Sequence, residues 1–488
     1  MRGLKVLLVD KGDIGGGTSA WSTRLIHGGL RYLEHGELGL VRESLREREI
    51  LMRIAPHLVR PLPILLPIYK NARRGAWTIR AGMWLYDLLS IQKTSPRHRF
   101  LSRQRALHEI PSLESRNLEG AAVYYDAQVE FAERLVLENA LSAAEHGATV
   151  KTYTRLHNFV ANEKSISAVQ LVNETTGQTQ AATAAMVINA AGPWVDDVLR
   201  KGAASEPLIG GTKGSHIVVS PFRGAPTTSL YVEAQKDGRP FFIIPWNGKY
   251  LIGTTDIRFE GKADDVRASD GEIDYLLRET ARVLPAAALS AADILYIYSG
   301  VRPLPFTGEK KESRITRRHF IRQHSQFANL LSIVGGKLTT YRSLAEEAVD
   351  LIFRKMNRPV PACQTDRRLL PGAMTSTSDR LQRIYGSRAA SISSLIAADP
   401  ELAEEFDDET GAVAAEVVHA FKNEVAVTLG DCLLRRAMVG FNSRCGLNAV
   451  EAAADVGRRQ LGWSDERVAR EISEYRKEVA RCLPRALG

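Results

Sequence analysis

The segment between residues 24 and 34 places several chemically active side chains close together, directly after a glycine-rich loop. Its adjacent glycines, Gly28 and Gly29, let the backbone approach a flat ligand closely because they carry no Cβ atom. Three neighbours supply a titratable ring, a fixed cation and a phenol, namely His27, Arg31 and Tyr32. These residue types at this spacing predict a site for a bulky aromatic cofactor and an anionic substrate.

A histidine and several cations elsewhere could bind or react with an anionic substrate. His216 ends the run Lys-Gly-Ser-His before a strand and would project from the strand mouth, unless it is a buried, hydrogen-bonded histidine. Arg302 and Arg317 carry guanidinium groups, which grip phosphate oxygens through paired bonds, although ion pairing at the surface is the alternative. Lys337 lies at a predicted helix start, where its charge stabilises an anion unless it is merely solvated. Of these residues His216 could accept a proton, whereas an arginine is a poor base because its pKa exceeds about 12.

Seven separated segments, taken in order, resemble the FAD-dependent glycerol-3-phosphate dehydrogenase family of the aerobic, quinone-linked type. The resemblance covers nearly the whole chain, and the shared order and spacing make chance agreement improbable. It implies an α/β fold with an FAD-binding, Rossmann-like domain of the D-amino-acid-oxidase kind, an interleaved antiparallel β substrate domain and a C-terminal α-helical domain. The segments are 18–34, 189–194, 213–219, 245–256, 299–304, 315–317 and 335–342.

The resemblance implies FAD as cofactor, sn-glycerol 3-phosphate as substrate and dihydroxyacetone phosphate as product. The residues that it implies to bind substrate are Arg31, Tyr32, His216, Arg302, Arg317 and Lys337, of which His216, Lys337 and Arg302 are catalytic. The residues that it implies to contact the cofactor are Asp10, Thr18, Ser19, His27, Gly28, Gly29, Ala191, Gly192, Gly335, Gly336, Lys337, Leu338 and Thr339. No metal is expected.

The front of the chain departs from the family pattern. Residues 5–10 form a short apolar run ending in an acid, which predicts a buried parallel strand, the second of a dinucleotide fold, with Asp10 bonded to the ribose hydroxyls. No first strand and no Gly-x-Gly-x-x-Gly loop precede it, and the glycines at 15–17 follow it. We expect that roughly 20 to 25 residues are missing because Met1 is an internal methionine taken as a start. The alternative is a natural truncation, which would weaken FAD binding.

Two helices are predicted early in the chain. Helical spacing over 38–54 predicts a helix that ends near Ala55, and the prolines that follow predict an extended segment. A second helix over 76–89 has one broad apolar face and follows Arg73 and Arg74. A basic, tryptophan-bearing helix can lie in a membrane interface and reach a lipid-soluble acceptor, whereas the alternative is packing on its own domain. The face consists of Trp77, Ala81, Trp84, Leu85 and Leu88.

Periodicity predicts the remaining elements that position the site. The predicted strands are one near Val150 and those at 186–191, 216–219, 241–244, 250–252 and 330–334. The predicted helices are 135–146, one running through residue 350, 413–421 and 432–439. We divide the chain into an FAD-dependent region (1–358), a linker (359–372) and a C-terminal helical domain (373–488). The FAD-binding parts are about 1–50, 120–200 and 295–358, and the substrate parts are 51–119 and 201–294.

Composition limits the class of protein. With 488 residues, 44% of them hydrophobic, the chain is globular and exceeds a single core of typical size. The formal charge of +9 suits an anionic partner such as a phosphate or an acidic lipid, and no nucleic-acid-binding motif accompanies it. No apolar run reaches about 20 residues and no signal peptide is evident, which predicts a cytoplasmic protein. The 4 cysteines form no Cys-x-x-Cys pair, which favours reduced structural thiols.

The resemblance further implies that electrons pass to a membrane quinone at the cytoplasmic face of the inner membrane, and it is compatible with a homodimer. Two alternatives stay open. The first is an oxidase of the same family, which returns electrons to oxygen and makes hydrogen peroxide. The second is a non-catalytic truncated homologue that does not retain FAD and serves as a binding or scaffold protein.

Overall fold

The computed structural model describes residues 1–70, 72–90, 93–203, 206–307, 315–375 and 377–484. The strands are β1 (Leu7–Val9), β2 (Leu25–Ile26), β3 (Val59–Tyr69), β4 (Arg99–Ser102), β5 (Leu118–Val129), β6 (Thr149–Lys151), β7 (Thr154–Ala161), β8 (Ile166–Asn173), β9 (Thr179–Ala182), β10 (Val187–Asn189), β11 (Thr212–Val219), β12 (Ser229–Glu233), β13 (Pro240–Trp246), β14 (Lys249–Gly253), β15 (Ile257–Arg258), β16 (Ile294–Arg302), β17 (Phe320–Gln323), β18 (Leu330–Val334), β19 (Glu405–Asp407) and β20 (Ala412–Val413). The helices are α1 (Leu38–Ile54), α2 (Ala76–Leu89), α3 (Arg103–Glu109), α4 (Ala132–Glu145), α5 (Val195–Leu199), α6 (Asp270–Val283), α7 (Tyr341–Lys355), α8 (Arg380–Tyr385), α9 (Ala389–Ala398), α10 (Ala414–Asn423), α11 (Leu429–Arg435), α12 (Val450–Leu461) and α13 (Asp465–Ala480).

The largest sheet carries two of the predicted substrate-binding residues, His216 on β11 and Arg302 on β16. Its strands lie in the order β15, β11, β14, β13, β12, β3, β5 and β2, with β16 also paired to β11 and β4 to β5. The pairs β11–β14 and β13–β14 are antiparallel, as predicted, but β12 pairs with β3 in parallel, so the sheet is mixed. The register places His216 of β11 opposite Gly253 on one side and Tyr298 on the other. The histidine therefore lies in the middle of a paired sheet and not on an edge strand.

The cofactor-side strands form two smaller sheets. β1 pairs in parallel with β6, and β10 pairs in parallel with β18, which also pairs with β17. The predicted strand at residues 5–10 is confirmed as the shorter β1, but the prediction that it is buried is wrong. Leu7 and Leu8 are 40% and 39% exposed because β1 pairs only with β6 among the described residues, and its side chains face a large cavity.

Helix α2 has the predicted bounds but turns the predicted apolar face outward. It buries Met83 and Tyr86 against residues of β3 and β5. Trp77, Trp84 and Leu88 are 82%, 64% and 66% exposed. The alternative prediction, that this apolar face packs on its own domain, is therefore wrong for the described residues. The opposite face of the helix makes the core contacts. No helix in the described ranges is long and apolar enough to cross a membrane.

The C-terminal helices pack directly on the large sheet. Val218 of β11 and Trp246 of β13 share one hydrophobic cluster with Val417 of α10 and Leu433 of α11. The helical region therefore shares a core with the substrate sheet, although the domain boundaries given above stay a prediction.

The predicted helix over 432–439 is only partly right. α11 ends at Arg435, and Met438 has a left-handed backbone with φ of 60°. The helix stops there because the chain turns so that Phe441 packs against Trp246, with ring centroids 5.4 Å apart. This contact joins residues far apart in the chain, so local periodicity cannot predict it.

Candidate active site

A cavity of about 2300 Å³ lies between the cofactor-side strands and the large sheet. Its wall includes β1, β10 and the residues after β18, together with residues of β11 and the end of β16. Ligand pockets usually measure about 300 to 1000 Å³, so this cavity can hold a large cofactor and a substrate together. The predicted site residues that line it are Asp10, Thr18, Ser19, His27, Gly29, Arg31, Tyr32, Ala191, Gly192, His216, Arg302, Arg317, Gly335, Gly336, Lys337, Leu338 and Thr339.

One part of the cavity holds guanidinium groups around a single carboxylate. Asp256 accepts hydrogen bonds from Arg302 and Arg317, each with an N···O distance of 3.2 Å. Arg239 brings a third guanidinium, whose Nη1 lies 3.6 Å from Asp256 Oδ2. Arg31 lines the same cavity and interacts electrostatically with Asp256. Because the arginines outnumber the carboxylate, the cluster keeps a positive surplus that suits a phosphate group.

Burial and mutual repulsion set the charges of this cluster. Burial lowers the pKa of Arg302, and the like charge of Arg317 lowers it further. Burial opposes ionisation of Asp256, but Arg302 and Arg317 outweigh that cost and lower the pKa of the carboxyl. An anion bound here would relieve the repulsion among the guanidinium groups.

His216 is a buried, neutral ring connected to the cavity wall through a threonine. Its Nε2 lies 2.9 Å from Thr23 Oγ1, and its ring stacks on Tyr298 with a centroid distance of 4.8 Å. Burial first, then the charges of Arg302 and Arg24, lower the pKa of His216 well below its usual value. Its Nδ1 is buried without a hydrogen-bond partner among the described residues. The polar link from the ring to the cavity is therefore the Thr23 hydroxyl.

Lys337 places its charge against residues 28–29, called here the two-glycine segment. Its Nζ donates to Ser44 Oγ at 2.8 Å and to the His27 carbonyl at 3.3 Å, and it lies 4.7 Å from the centre of the Tyr32 ring. Burial lowers the pKa of Lys337 to about 7. Burial, together with the charge of Lys337, lowers the pKa of His27 to about 3, so His27 is neutral.

Hydroxyl groups and backbone form the neighbouring wall. Thr339 Oγ1 accepts from the His27 amide at 3.1 Å, which joins the start of α7 to the two-glycine segment. Thr18 Oγ1 donates to the Val301 carbonyl at 2.7 Å. The bond from Thr18 holds the loop after β1 and the end of β16 together on one side of the cavity.

The wall near β1 and β10 has groups that suit a nucleotide cofactor. Asp10 lines it and accepts from the Gly12 amide at 3.0 Å, which leaves its other oxygen for hydroxyl donors. The indole Nε1 of Trp194 is buried with no hydrogen-bond partner in the described ranges. An unpaired buried donor in a cavity wall is expected where a ligand supplies the acceptor.

Gly28 is the one predicted cofactor residue that does not line the cavity. A Cβ atom at this position would lie 2.5 Å from Tyr86 Oη and 2.6 Å from Leu45 Cδ2. Its amide donates to Asp126 Oδ1 at 3.2 Å. Glycine is needed here because α1 and α2 pack closely against the segment.

Several wall residues were not predicted from the sequence. Thr23 lies between two predicted cofactor positions, and Arg239 follows an Asp-Gly turn at the start of β13, so loop position was the available signal. Trp21 also lines the cavity, and Gly300 makes room for it because a Cβ at 300 would lie 2.8 Å from the Trp21 Cβ. The C-terminal residues Arg435, Glu478 and Arg481 also line the cavity, and no local pattern marks them.

Comparison with known proteins agrees with this geometry. A family model described as FAD dependent oxidoreductase matches residues 1–342, and one described as C-terminal domain of alpha-glycerophosphate oxidase matches residues 328–468. The chain is 46% identical to a glycerol-3-phosphate dehydrogenase of Synechocystis sp., over 99% of this chain and 94% of the relative. This chain belongs to the FAD-dependent glycerol-3-phosphate dehydrogenase family.

Other members and structures extend the comparison. A D-erythritol 1-phosphate dehydrogenase of Brucella abortus is 42% identical over 71% of this chain and 68% of its own length. The FAD-bound structure of the glycerol-3-phosphate dehydrogenase from Bacillus halodurans superposes with a TM-score of 0.80 at 26% identity, covering 99% of this chain and 90% of that one. The expected fold class and cofactor are confirmed, and the chain is an FAD-dependent oxidoreductase.

Proposed function

We propose that this oxidoreductase oxidises sn-glycerol 3-phosphate to dihydroxyacetone phosphate and passes the electrons to a membrane quinone. The observation that carries the proposal is the guanidinium cluster of Arg302, Arg317 and Arg239 around Asp256, in the cavity that belongs to the cofactor. A phosphate monoester supplies the dianion that such a cluster binds through paired hydrogen bonds. The glycerol part of the proposed substrate is inferred from the names of the family members.

Oxidation of the C2 alcohol breaks its C–H and O–H bonds, forms the ketone and removes two electrons. Bound FAD supplies the two-electron acceptor. The protein binds the phosphate through Arg31, Arg302 and Arg317, with Tyr32 beside them. We assign the hydroxyl proton to His216, reached through Thr23 Oγ1, which lies 2.9 Å from Nε2. Lys337 holds positive charge beside the cofactor and substrate.

The residues that would hold FAD follow from the same wall. Asp10 would bind the ribose hydroxyls, and the buried Trp194 indole, which has no hydrogen-bond partner within the described ranges, offers a donor nearby. The hydroxyl side chains of Thr18 and Ser19, the residues Ala191 and Gly192, and the segment 335–339 complete the contacts.

The decisive measurement is the visible spectrum of the purified chain under anaerobic conditions, before and after addition of sn-glycerol 3-phosphate. We expect a flavin band that bleaches with substrate. A flavin band that persists at saturating substrate contradicts the proposed substrate. A monodisperse chain without flavin would favour the non-catalytic alternative.

D-erythritol 1-phosphate is the comparison substrate, because the Brucella relative is named for it. Both substrates present a phosphate to the same arginines, so the difference lies in the length of the polyol. We expect a higher kcat/KM with sn-glycerol 3-phosphate. The opposite ranking would keep the reaction class and replace the substrate.

Substitution of Arg239 tests the phosphate assignment and leaves unchanged the residues that the resemblance implies to bind substrate. Arg239→Met should raise KM about 10-fold and change kcat less, because it removes positive charge that acts on bound substrate. Arg278→Met is the matched control, since Arg278 is exposed on α6 of the same region and does not line the cavity. An equal KM in both variants would remove Arg239 from the phosphate site.

The exposed face of α2, comprising Trp77, Arg80, Trp84 and Leu88, supports a membrane-bound acceptor. Three of these side chains are apolar and largely exposed, and the guanidinium of Arg80 lies 5.9 Å from the centre of the Trp77 ring. Tryptophan and arginine together favour the headgroup region of a bilayer with anionic lipid. We propose that this face docks on the cytoplasmic face of the inner membrane, where quinone is reached.

Vesicle flotation with anionic lipid tests this docking. The double variant Trp77→Ser, Trp84→Ser should weaken binding at least 10-fold and leave the anaerobic half-reaction intact. Leu369→Ser is the control, because Leu369 is 59% exposed and lies in the predicted linker. A dimer in gel filtration that the double variant dissociates would instead assign this face to a second copy of the chain.

The amount of hydrogen peroxide formed per substrate oxidised distinguishes the oxidase alternative from the quinone proposal. An oxidase forms one hydrogen peroxide for each substrate in air. We expect a soluble quinone analogue to accept the electrons faster than oxygen, and stoichiometric peroxide at equal rates would favour the oxidase.

A further inference from the structure

The loop between β1 and β2, residues 11–24 and called here the cofactor loop, carries Thr18 and Ser19 and is held by a buried carboxylate. Asp13 is 7% exposed and accepts from Arg435 Nε at 2.6 Å. It also accepts two bonds from Arg436, each at 2.7 Å, with one carboxylate oxygen facing each Nη. Such bidentate pairing fixes orientation as well as distance. Both arginines come from the C-terminal region, 422 and 423 positions along the chain.

A second contact joins the same loop to the same helix. The Tyr153 amide donates to the Gly12 carbonyl at 3.0 Å. Its hydroxyl donates to Asp431 Oδ1 at 2.6 Å, and Asp431 lies on α11 one turn before Arg435. Arg435 also bonds to Asp431 and to Glu478 of α13, at 2.9 Å and 2.8 Å. The loop therefore meets a connected network and not a single pair.

A third contact comes from the end of α13. The guanidinium of Arg481 lies 4.6 Å from the centre of the Trp21 ring, within the cofactor loop. Arg435, Glu478 and Arg481 also line the cavity itself, together with Gly15, Gly16 and Gly17 of the loop. The C-terminal helices thus reach the wall of the cavity that we assign to the cofactor.

We propose that α11 and α13 form part of the FAD site, and that Asp13, Arg435 and Arg436 are positioning residues that hold the cofactor loop in its FAD-binding conformation. The C-terminal region would then serve cofactor retention, in addition to any other role. This inference concerns FAD alone and does not depend on the substrate or on the electron acceptor.

The competing explanation is that these ion pairs only join two parts of the chain. The pair Arg134–Glu424 provides the matched control, because it joins α4 to the residue after α10 at 2.6 Å and both side chains are fully buried. Neither Arg134 nor Glu424 lines the cavity or contacts the cofactor loop through its side chain. Loss of the Asp13 carboxylate and loss of the Glu424 carboxylate each remove a buried ion pair between the C-terminal region and an earlier part of the chain.

The experiment compares Asp13→Asn with Glu424→Gln in the full chain. FAD is titrated into flavin-free protein and followed by flavin fluorescence, and amide hydrogen exchange of residues 11–24 is measured without FAD. Asp13→Asn should raise the Kd for FAD at least 10-fold and speed exchange in the loop. Glu424→Gln should lower Tm while its Kd stays within 2-fold of the wild type and its loop exchange is unchanged.

A second variant covers the case in which Asp13→Asn does not fold. Arg436→Lys keeps a positive charge beside Asp13 but loses the bidentate geometry, so its Kd should rise about 3-fold and its loop exchange should increase. Equal Kd values and equal loop exchange in wild type and in the Asp13 or Arg436 variant would overturn the proposal. An equal rise of Kd in Glu424→Gln would also overturn it, because the effect would then be general destabilisation.

Discussion

Lys337 is the site residue whose charge changes nearest to neutral pH. Its Nζ faces acceptors, namely the carbonyls of His27 and Gly28 and the hydroxyl of Ser44. Those partners favour an ammonium that donates, while burial lowers the pKa to about 7. We therefore assign Lys337 the role of a cation and not of a proton acceptor.

The pH dependence of kcat/KM tests this role. Lys337 loses its charge as pH rises through about 7, so kcat/KM of the wild type should fall above that pH. The arginine of Lys337→Arg stays charged around and above pH 7. The decrease of kcat/KM should therefore shift to a pH at least one unit higher than in the wild type. A fall at the same pH in both proteins would assign it to another group.

At the scale of the element, the packing of α1 and α2 against the two-glycine segment shapes the cavity wall. Gly28 lies under Leu45 of α1 and Tyr86 of α2, and Tyr86 Oη donates to Asp126 Oδ1 at 2.6 Å. The same carboxylate oxygen accepts from the Gly28 amide and from Arg48. On the side of α2 opposite its exposed face, Tyr86 therefore contacts the two-glycine segment, which lies beside Lys337.

Gly28→Ala should destabilise the protein by about 1 to 3 kcal/mol, because the new methyl group overlaps two side chains in a packed interface. Gly39→Ala is the control, since a Cβ there meets no atom within 4 Å, and an alanine in the first turn of α1 should not lower stability. Urea unfolding of both variants measures the difference. Equal stabilities would show that the segment moves away from α1 and α2 at little cost.

At the scale of the whole molecule, His57 connects three regions that lie far apart in the chain. It follows α1, and Cβ atoms at Gly372 and Gly386 would lie within 2.9 Å and 2.8 Å of its ring. Neither ring nitrogen has a hydrogen-bond partner among the described residues. Burial first, then the charges of Arg134 and Arg60, lower the pKa of His57 from 6.5 to about 3.

This histidine should make stability depend on pH. Because the folded pKa is the lower one, its contribution is fully present above about pH 6.5 and is lost as pH falls toward 3. Each pH unit below 6.5 should remove about 1.4 kcal/mol of unfolding free energy for this one group. His57→Gln should flatten the dependence between pH 6.5 and 5.5, and the exposed His157→Gln should leave it unchanged. An unchanged slope in His57→Gln would contradict this assignment.

The sequence by itself determined several of the local elements and identified residues that line the cavity. The bounds of α1, α2 and β18 agree with the predicted ranges because helical periodicity and β-branched runs are local signals. The motifs at 18–34 and 335–342 place their side chains at one wall because short turns fix their positions within each segment. Every predicted site residue except Gly28 accordingly lines the cavity.

Only the tertiary structure decided which partners those elements meet. Periodicity marked an apolar face on α2, yet the core covers the opposite side through Met83 and Tyr86. Asp256 gathers arginines from separate segments, and Asp13 meets arginines 422 and 423 positions away. Such contacts form when distant segments lose water together, and no local pattern records them, because the energy of a buried ion pair depends on the partner that folding brings to it.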